Sequence, residues 1–472
     1  MLSKICAVIA RNLRLAAARG RSPGDFHRDF RRPASNYSQM HRLRMDAEQV
    51  GRKLEVSDDE LTEVTRRMSD AMELGLRRSR WLASGSSAMG CFDTRVPYPW
   101  PSAATVNRFL SVDLSHGDRF RTELTTKNLD VSSTVSNVHS LTTDDLRTGK
   151  VADLFGRVAG ELAALAKSRG LGRAGMPVAL RLGFPVEHDG PLGGSANLHR
   201  WTKEFGGGRA DGAQGVDVAA EWRKAAARAD VAAGPVAVLN DACVAMMKGP
   251  RDARVAIVVD DGCNCCYVPE FGRTVVNTEW GAFGEDGTLD HLLTESRQAN
   301  LRENDFRRLV REMVLSMVSN GALFGGVTTE AMITEYALKA KHLWLVESDV
   351  RFLKPGSDGA ARTVLTDVLN VYEPSDMDCE LFRYACRCVT TRSANLIAAG
   401  LSAVLKRSGL PVNVVLSGSA FKTHSSYALA VGAKTRRLTA LQKPFTLLTT
   451  DDKIDVTRIL AGVLATIADK PT

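Results

Sequence analysis

The run Val236-Ala-Val-Leu-Asn240-Asp241 ends an apolar, β-rich stretch in an amide and a carboxylate. It passes directly into Ala242-Cys-Val-Ala-Met-Met247, a pattern compatible with a helix. A carboxylate at such a junction, facing a cleft, can accept a proton from a substrate hydroxyl, and an amide beside it can donate and accept at once to orient that substrate. An Asn-Asp pair after a strand also makes a turn or caps a helix, so the neighbours must decide. Further along, Asn277 and Glu279 stand two residues apart in Val276-Asn-Thr-Glu-Trp-Gly-Ala-Phe-Gly284. One carboxylate can accept from two adjacent hydroxyls, which suits a vicinal diol. Thr202 and Lys203 follow Trp201 and add a hydroxyl and an ammonium, although a lone lysine is ordinarily a surface residue.

Alternating strand and helix signals must position these groups. Phe109–Leu114, Val178–Leu182, Arg254–Val259 and Val412–Leu416 read as strands, and Leu154–Lys167, Phe306–Val318, Asp378–Lys406 and Arg458–Asp469 as amphipathic helices. The pattern predicts an α/β fold. A helical pattern also begins near Asp46 and runs from Leu54 to Leu76, with Asp58-Asp59-Glu60 at its start and Arg66, Arg67 and Arg77 towards its end, an order that suits the helix dipole. The Gly, Ser and Pro of Ser84–Ser102 predict a loop crossing between lobes.

The chain has 472 residues, 44% of them hydrophobic, enough for two or three globular domains. Lys and Arg number 62 against 54 Asp and Glu, a net charge of +8 with the signs intermixed, so no nucleic-acid partner is predicted. No run of 18 uncharged apolar residues predicts a membrane span. Nine cysteines without paired spacing suit a reducing compartment. Residues 1–24 contain no Asp or Glu, and Lys4, Arg11, Arg14, Arg19 and Arg21 are interleaved with apolar residues, the composition of a mitochondrial targeting segment. A disordered basic tail on a cytoplasmic protein is the alternative, and residues 25–45 read as linker.

Taken together, Leu182-Gly183-Phe184-Pro185, Trp201-Thr202-Lys203-Glu204-Phe205, Asn240-Asp241 and Asn277-Thr278-Glu279-Trp280-Gly281 follow one another in an order and spacing that resemble the sugar cleft of the hexokinase family. The resemblance covers roughly Asp46 to the C-terminus. It implies a two-lobed, actin-like ATPase (ribonuclease H-like) fold, with residues 46–245 as the N-terminal, small-lobe region and 246–472 as the C-terminal, large-lobe region. It further implies transfer of the γ-phosphate of ATP, accompanied by Mg²⁺, to the 6-hydroxyl of glucose or a related hexose. Asp241 would then be the catalytic base, and Phe184, Pro185, Thr202, Lys203, Asn240, Asn277 and Glu279 would hold the sugar. The family's sugar-touching serine is Gly183 here, and a region supplying another sugar-binding glutamate is shortened after Thr294, leaving Glu295 and Glu303 as candidates to replace it.

The nucleotide side departs from the family at each glycine-rich loop. Asp113 is kept, and with Gly262, Asn264, Gly418 and Ser419 it is a candidate nucleotide contact. Ser115 and His116, however, stand where paired glycines are expected, and a Cβ on both fills space an oxyanion would use. Asp260-Asp261 replaces a glycine and a threonine; the pair repels a polyphosphate unless a cation intervenes, and paired acids are more often simply solvated. Ser417 replaces an acid before Gly418, and Asp451–Arg458 lacks all three glycines of the last motif. Cys263, Cys265 and Cys266 read as buried thiols, because on a strand Cys266 faces away from the other two and no second Cys/His pair has zinc spacing; no metal site is predicted. Phosphoryl transfer depends on positioning and stabilising the phosphates. The expectation is therefore a hexokinase-family protein with weak or lost activity, the alternative being a non-catalytic sugar-binding or scaffolding subunit of a mitochondrial assembly.

Overall fold

The computed structural model describes residues 37–78, 89–101, 106–128, 131–146, 150–171, 175–201, 213–231, 233–260, 262–290, 292, 305–334, 337–348, 359–409, 412–424, 426–440, 444–450 and 457–468. The segment 1–24 expected to direct targeting lies outside them. Among the described residues thirteen strands form two large sheets and a hairpin. They are β1 (Phe92–Pro97), β2 (Arg108–Leu114), β3 (Arg119–Asn128), β4 (Val131–Ser140), β5 (Met176–Leu182), β6 (Val186–Asp189), β7 (Ser195–Leu198), β8 (Ala233–Asn240), β9 (Ala253–Val259), β10 (Cys263–Tyr267), β11 (Thr274–Asn277), β12 (Val412–Ser417) and β13 (Phe445–Thr449).

The smaller sheet has the order β4-β3-β2-β5-β8, in which β2, β5 and β8 run parallel. Its register sets Asp113 opposite Arg181 and Leu182 opposite Asn240. The six-stranded sheet has the order β1-β11-β10-β9-β12-β13, with β9, β12 and β13 parallel. Val258 pairs with Ser417, so Asp260 and Gly418 follow at neighbouring strand ends. Crevices outside the carboxyl ends of parallel strands are where α/β sheets bind ligands.

Three apolar clusters hold this arrangement. One lies within the large lobe, around the helix Asp376–Leu405, and a second covers the smaller sheet with the helices Val151–Ser168 and Val218–Arg228. The third joins the lobes, uniting Phe109, Ala179 and Leu239 of the smaller sheet with Ala256, Val258 and Val415 of the larger through the helix Asp241–Met247. A Ser375/Asp378 capping box starts the 30-residue helix Asp376–Leu405, satisfying orphan amides at its first turn. That helix is long and apolar enough to cross a membrane, yet 83% of its most apolar window is buried inside the protein, as in a core helix. Gly400 within it lets Trp280 pack close, since a Cβ there would sit 2.8 Å from the indole.

Three boundaries differ from expectation. Helix begins at Tyr37 rather than after residue 45, because Leu43, Ala47 and Val50 already form a stripe packed on the core. Within the expected loop Ser84–Ser102, Phe92, Thr94 and Val96 alternate inward and pair with β11 as an edge strand. The span 46–245 therefore divides in space: the helices Tyr37–Arg52 and Asp58–Arg78 and strand β1 belong to the large lobe, where Leu61, Val64, Met68 and Met72 pack with the helix Asp376–Leu405. Conversely, the last helix, Thr457–Ala468, returns to the smaller sheet and lays Leu460, Val463 and Leu464 against β5 and β8.

Candidate active site

Asn240 closes β8 and caps the helix Asp241–Met247: its Oδ1 accepts from Ala242 N–H at 2.9 Å, which fixes the side chain at the strand-to-helix junction. The cap and turn function is therefore real, and it coexists with a place in the cleft. Asn240 Nδ2 donates to Phe184 O and to Glu279 Oε1, both at 3.4 Å. Asp241, only 8% exposed, is the first residue of the helix, where the positive end of the dipole favours a carboxylate.

Glu279 is the centre of the large-lobe wall. Its backbone sits at φ 49°, ψ 41°, the left-handed region that a non-glycine residue adopts at a cost of order 1–3 kcal/mol and that clusters at functional sites. Three amides converge on Glu279 Oε1: Asn277 Nδ2 at 2.7 Å, Asn264 Nδ2 at 3.0 Å and Asn240 Nδ2 at 3.4 Å. Asn264 Nδ2 also donates to Asn277 Oδ1 at 3.0 Å, so strands β10 and β11 and the end of β8 are laced together at one oxygen. A carboxylate held this way is oriented before any substrate arrives, and charge-assisted bonds of this kind are the stronger ones. Asn264, expected on the nucleotide side, thus belongs with Asn277 and Glu279, because its position on β10 aims its amide at β11.

Phe184 is buried and stacks on Trp201 at 4.6 Å, and Pro185, also buried, follows it into β6. Thr202 and Lys203 lie outside the described residues, as do Asp261, Glu295, Glu303 and Asp451–Val456. The structure therefore brings together Phe184, Asn240, Asp241, Asn264, Asn277 and Glu279.

The other end of the cleft is occupied by the protein's own groups. Asp113 Oδ1 accepts from Ser115 N–H at 3.0 Å and Ser115 Oγ at 2.5 Å, and its Oδ2 receives Arg181 Nη1 at 2.8 Å. Burial alone would raise the Asp113 carboxyl, but Arg181 and the Ser115 bonds together hold it below the usual carboxylate range. Arg181 was not among the expected site residues. The signal was present: a charged residue on the strand Val178–Leu182, two positions before Gly183 and on the same face. Asp260 Oδ1 accepts from Ser419 N–H at 2.5 Å. Gly418, at φ 106°, permits this approach, because a Cβ there would lie 2.2 Å from Val259 O. Gly262 closes the β9–β10 turn, its carbonyl accepting from Asp260 N–H at 2.9 Å. Cys265 and Cys266 are buried with their thiol pKa values raised well above the ordinary range by desolvation, which makes them inert.

Two hexokinase family models match, one over residues 46–250 and the other over residues 307–457. Among curated relatives, hexokinase-1 of Homo sapiens is 30% identical over 426 residues and hexokinase HKDC1 of Homo sapiens 29% over 426 residues, each alignment covering 82% of this chain and 44% of the relative. The chain thus spans less than half the length of these curated relatives. The structure superposes on a hexokinase from Schistosoma mansoni complexed with glucose with a TM-score of 0.79 and 25% identity, covering 90% of this chain and 99% of that one. A second hexokinase crystal structure, at 21% identity and TM-score 0.69, shares the fold. With its two-lobed α/β architecture of the actin-like ATPase type and both halves matched, the chain belongs to the hexokinase family.

Proposed function

We propose that this protein binds a hexose, glucose foremost, between its lobes, and that ATP-dependent phosphorylation of the 6-hydroxyl, the family reaction, is weak or lost. The observation that carries the sugar half is the convergence of Asn240, Asn264 and Asn277 on Glu279 Oε1 beside Asp241. Such a wall presents a carboxylate and amides to a diol, which is how a neutral sugar is recognised without a charged handle. Asp241 accepts the 6-hydroxyl proton in this reading, and Asn240, tied to the same helix start, holds the hydroxyl in line.

The residues on the other side fit Mg·ATP poorly. Asp113 is neutralised by Arg181, and the Ser419 amide already holds Asp260. Catalysis by positioning alone fails when the transferred group is not held. A sugar-binding or scaffolding role is the form the protein takes if transfer is lost altogether. Mitochondrial placement, with partners there, is proposed on the acid-free, arginine-bearing composition of residues 1–24, and imaging of a fluorescent fusion with and without that segment tests it.

The deciding experiment pairs glucose-dependent thermal stabilisation with a coupled assay for glucose 6-phosphate, using the wild type and Asp241→Ala. Stabilisation by glucose with turnover far below the range of about 1–100 s⁻¹ usual for kinases supports the proposal. Turnover within that range that disappears in Asp241→Ala overturns the impairment, and no response to glucose overturns the sugar site.

A further inference from the structure

At the cleft ends of β2 and β12, two backbone N–H groups are engaged by carboxylates of the chain itself. Ser115 N–H donates to Asp113 Oδ1 at 3.0 Å and Ser419 N–H to Asp260 Oδ1 at 2.5 Å. Neither contact depends on a loosely placed side chain. Asp113 and Arg181 are register partners on adjacent parallel strands, so their side chains leave the sheet on one face and meet at 2.8 Å. Asp260 follows β9 directly, and the close approach of Gly418 to Val259 O fixes where the Ser419 amide points. His116 lies within electrostatic reach of both Asp113 and Asp260.

A polyphosphate entering here meets a fixed negative charge on the large-lobe side, and on the small-lobe side a carboxylate that already has its counter-cation. To reach the Ser419 amide it must displace a bound anion that cannot diffuse away. To bring a divalent cation against Asp113, it must displace a guanidinium held on a rigid strand. A neutral sugar on the Glu279 side meets neither obstacle.

We propose that Arg181 and Asp260 are specificity-determining residues that exclude polyphosphate from the cleft: Arg181 takes the place of a nucleotide-borne cation against Asp113, and Asp260 acts as a resident anion on the Ser419 amide. This rests on the reading of the cleft as a sugar site with an impaired phosphate side, and it assigns that impairment to two side chains.

The test is calorimetric titration of Mg·AMPPNP into the full-length protein at saturating glucose, for the wild type, Arg181→Thr, Asp260→Gly and the double variant. The expected result is no measurable binding by the wild type and an affinity gain of about tenfold or more in each single variant relative to the detection limit, larger in the double. Arg181→Gln and Asp260→Asn retain side-chain size, and the latter retains an acceptor for Ser419, so they replace the first set if it does not fold. Glucose-dependent thermal stabilisation reports folding of the sugar wall in every variant. Tight binding by the wild type overturns both the inference and the reading beneath it. A wild type that does not bind, with folded double variants that still do not bind, overturns the inference alone and leaves the sugar-binding reading standing.

Discussion

Asn277 Nδ2 lies 2.7 Å from Glu279 Oε1, two residues along the chain, and the turn between them is made possible by the left-handed backbone of Glu279. The strained residue and the short bond are one device: the turn brings the carboxylate back over its own strand, where the amides of Asn264 and Asn240 also reach it. Glu279→Gln replaces an acceptor-only carboxylate with a group that carries donors of its own, so three amide donors face a neutral partner. Hydrogen bonds to a charged group contribute about 1.5–3 kcal/mol, and glucose affinity is expected to fall roughly ten- to a hundredfold, measured by calorimetry with circular dichroism unchanged.

Asn264 provides the sharper test of how the cleft is divided. Asn264→Ala removes a donor to both Asn277 and Glu279 and is expected to weaken glucose binding by about tenfold, a loss of about 1.4 kcal/mol. A change confined to nucleotide response, with glucose affinity intact in a ligand titration, would return Asn264 to the phosphate side.

Gly418→Ala forces a Cβ into a backbone position at φ 106° and within 2.2 Å of Val259 O. Strain of this type costs on the order of 1–3 kcal/mol before any clash is counted. Chemical denaturation should therefore show a loss of at least about 2 kcal/mol, or, if β12 shifts to relieve the contact, a native state with altered near-ultraviolet dichroism.

Acid should loosen the hairpin that continues from Pro185. Burial holds the His188 imidazole down at about 4, against the opposing pull of Asp93 and Asp217. The unfolded chain protonates this ring near 6.5 and the folded chain only near 4, so between those values the unfolded state binds more protons. The contribution is neutral above pH 6.5 and grows into a destabilisation of roughly 3 kcal/mol as pH falls to 4. Denaturant midpoints of wild type and His188→Gln measured from pH 7.5 to 4.5 should converge as the pH falls. Parallel curves would assign the acid sensitivity to other groups.

The wall around Glu279 was legible because its residues are close in sequence and chemically explicit: an Asn-Asp pair ending an apolar strand, and an amide and a carboxylate two apart. What sequence alone left unplaced depended on tertiary register. Asn264 follows Gly262 and Cys263 in a segment that reads as a phosphate loop, and only the antiparallel pairing of β10 with β11 turns its amide towards Glu279. Arg181 was overlooked for the same reason, since its partner Asp113 is 68 residues away and meets it only across a parallel ladder. The edge strand β1 was hidden by the glycines and prolines that flank it, Gly85, Gly90, Pro99 and Pro101, because the alternation of Phe92, Thr94 and Val96 is short and needs β11 to become a strand.

The strand order takes the chain between its two large sheets twice, from β1 to β2 and from β8 through the helix Asp241–Met247 to β9, and the last helix, Thr457–Ala468, returns from β13 to the smaller sheet. Of these, Asp241–Met247 is buried along its whole length and packs against strands of both sheets. If the sheets rotate against each other, a helix packed against both lies near the pivot. A group on a pivot has almost no lever arm. Asp241, the first residue of that helix, would therefore keep its place through such a rotation, whatever the separation of the walls.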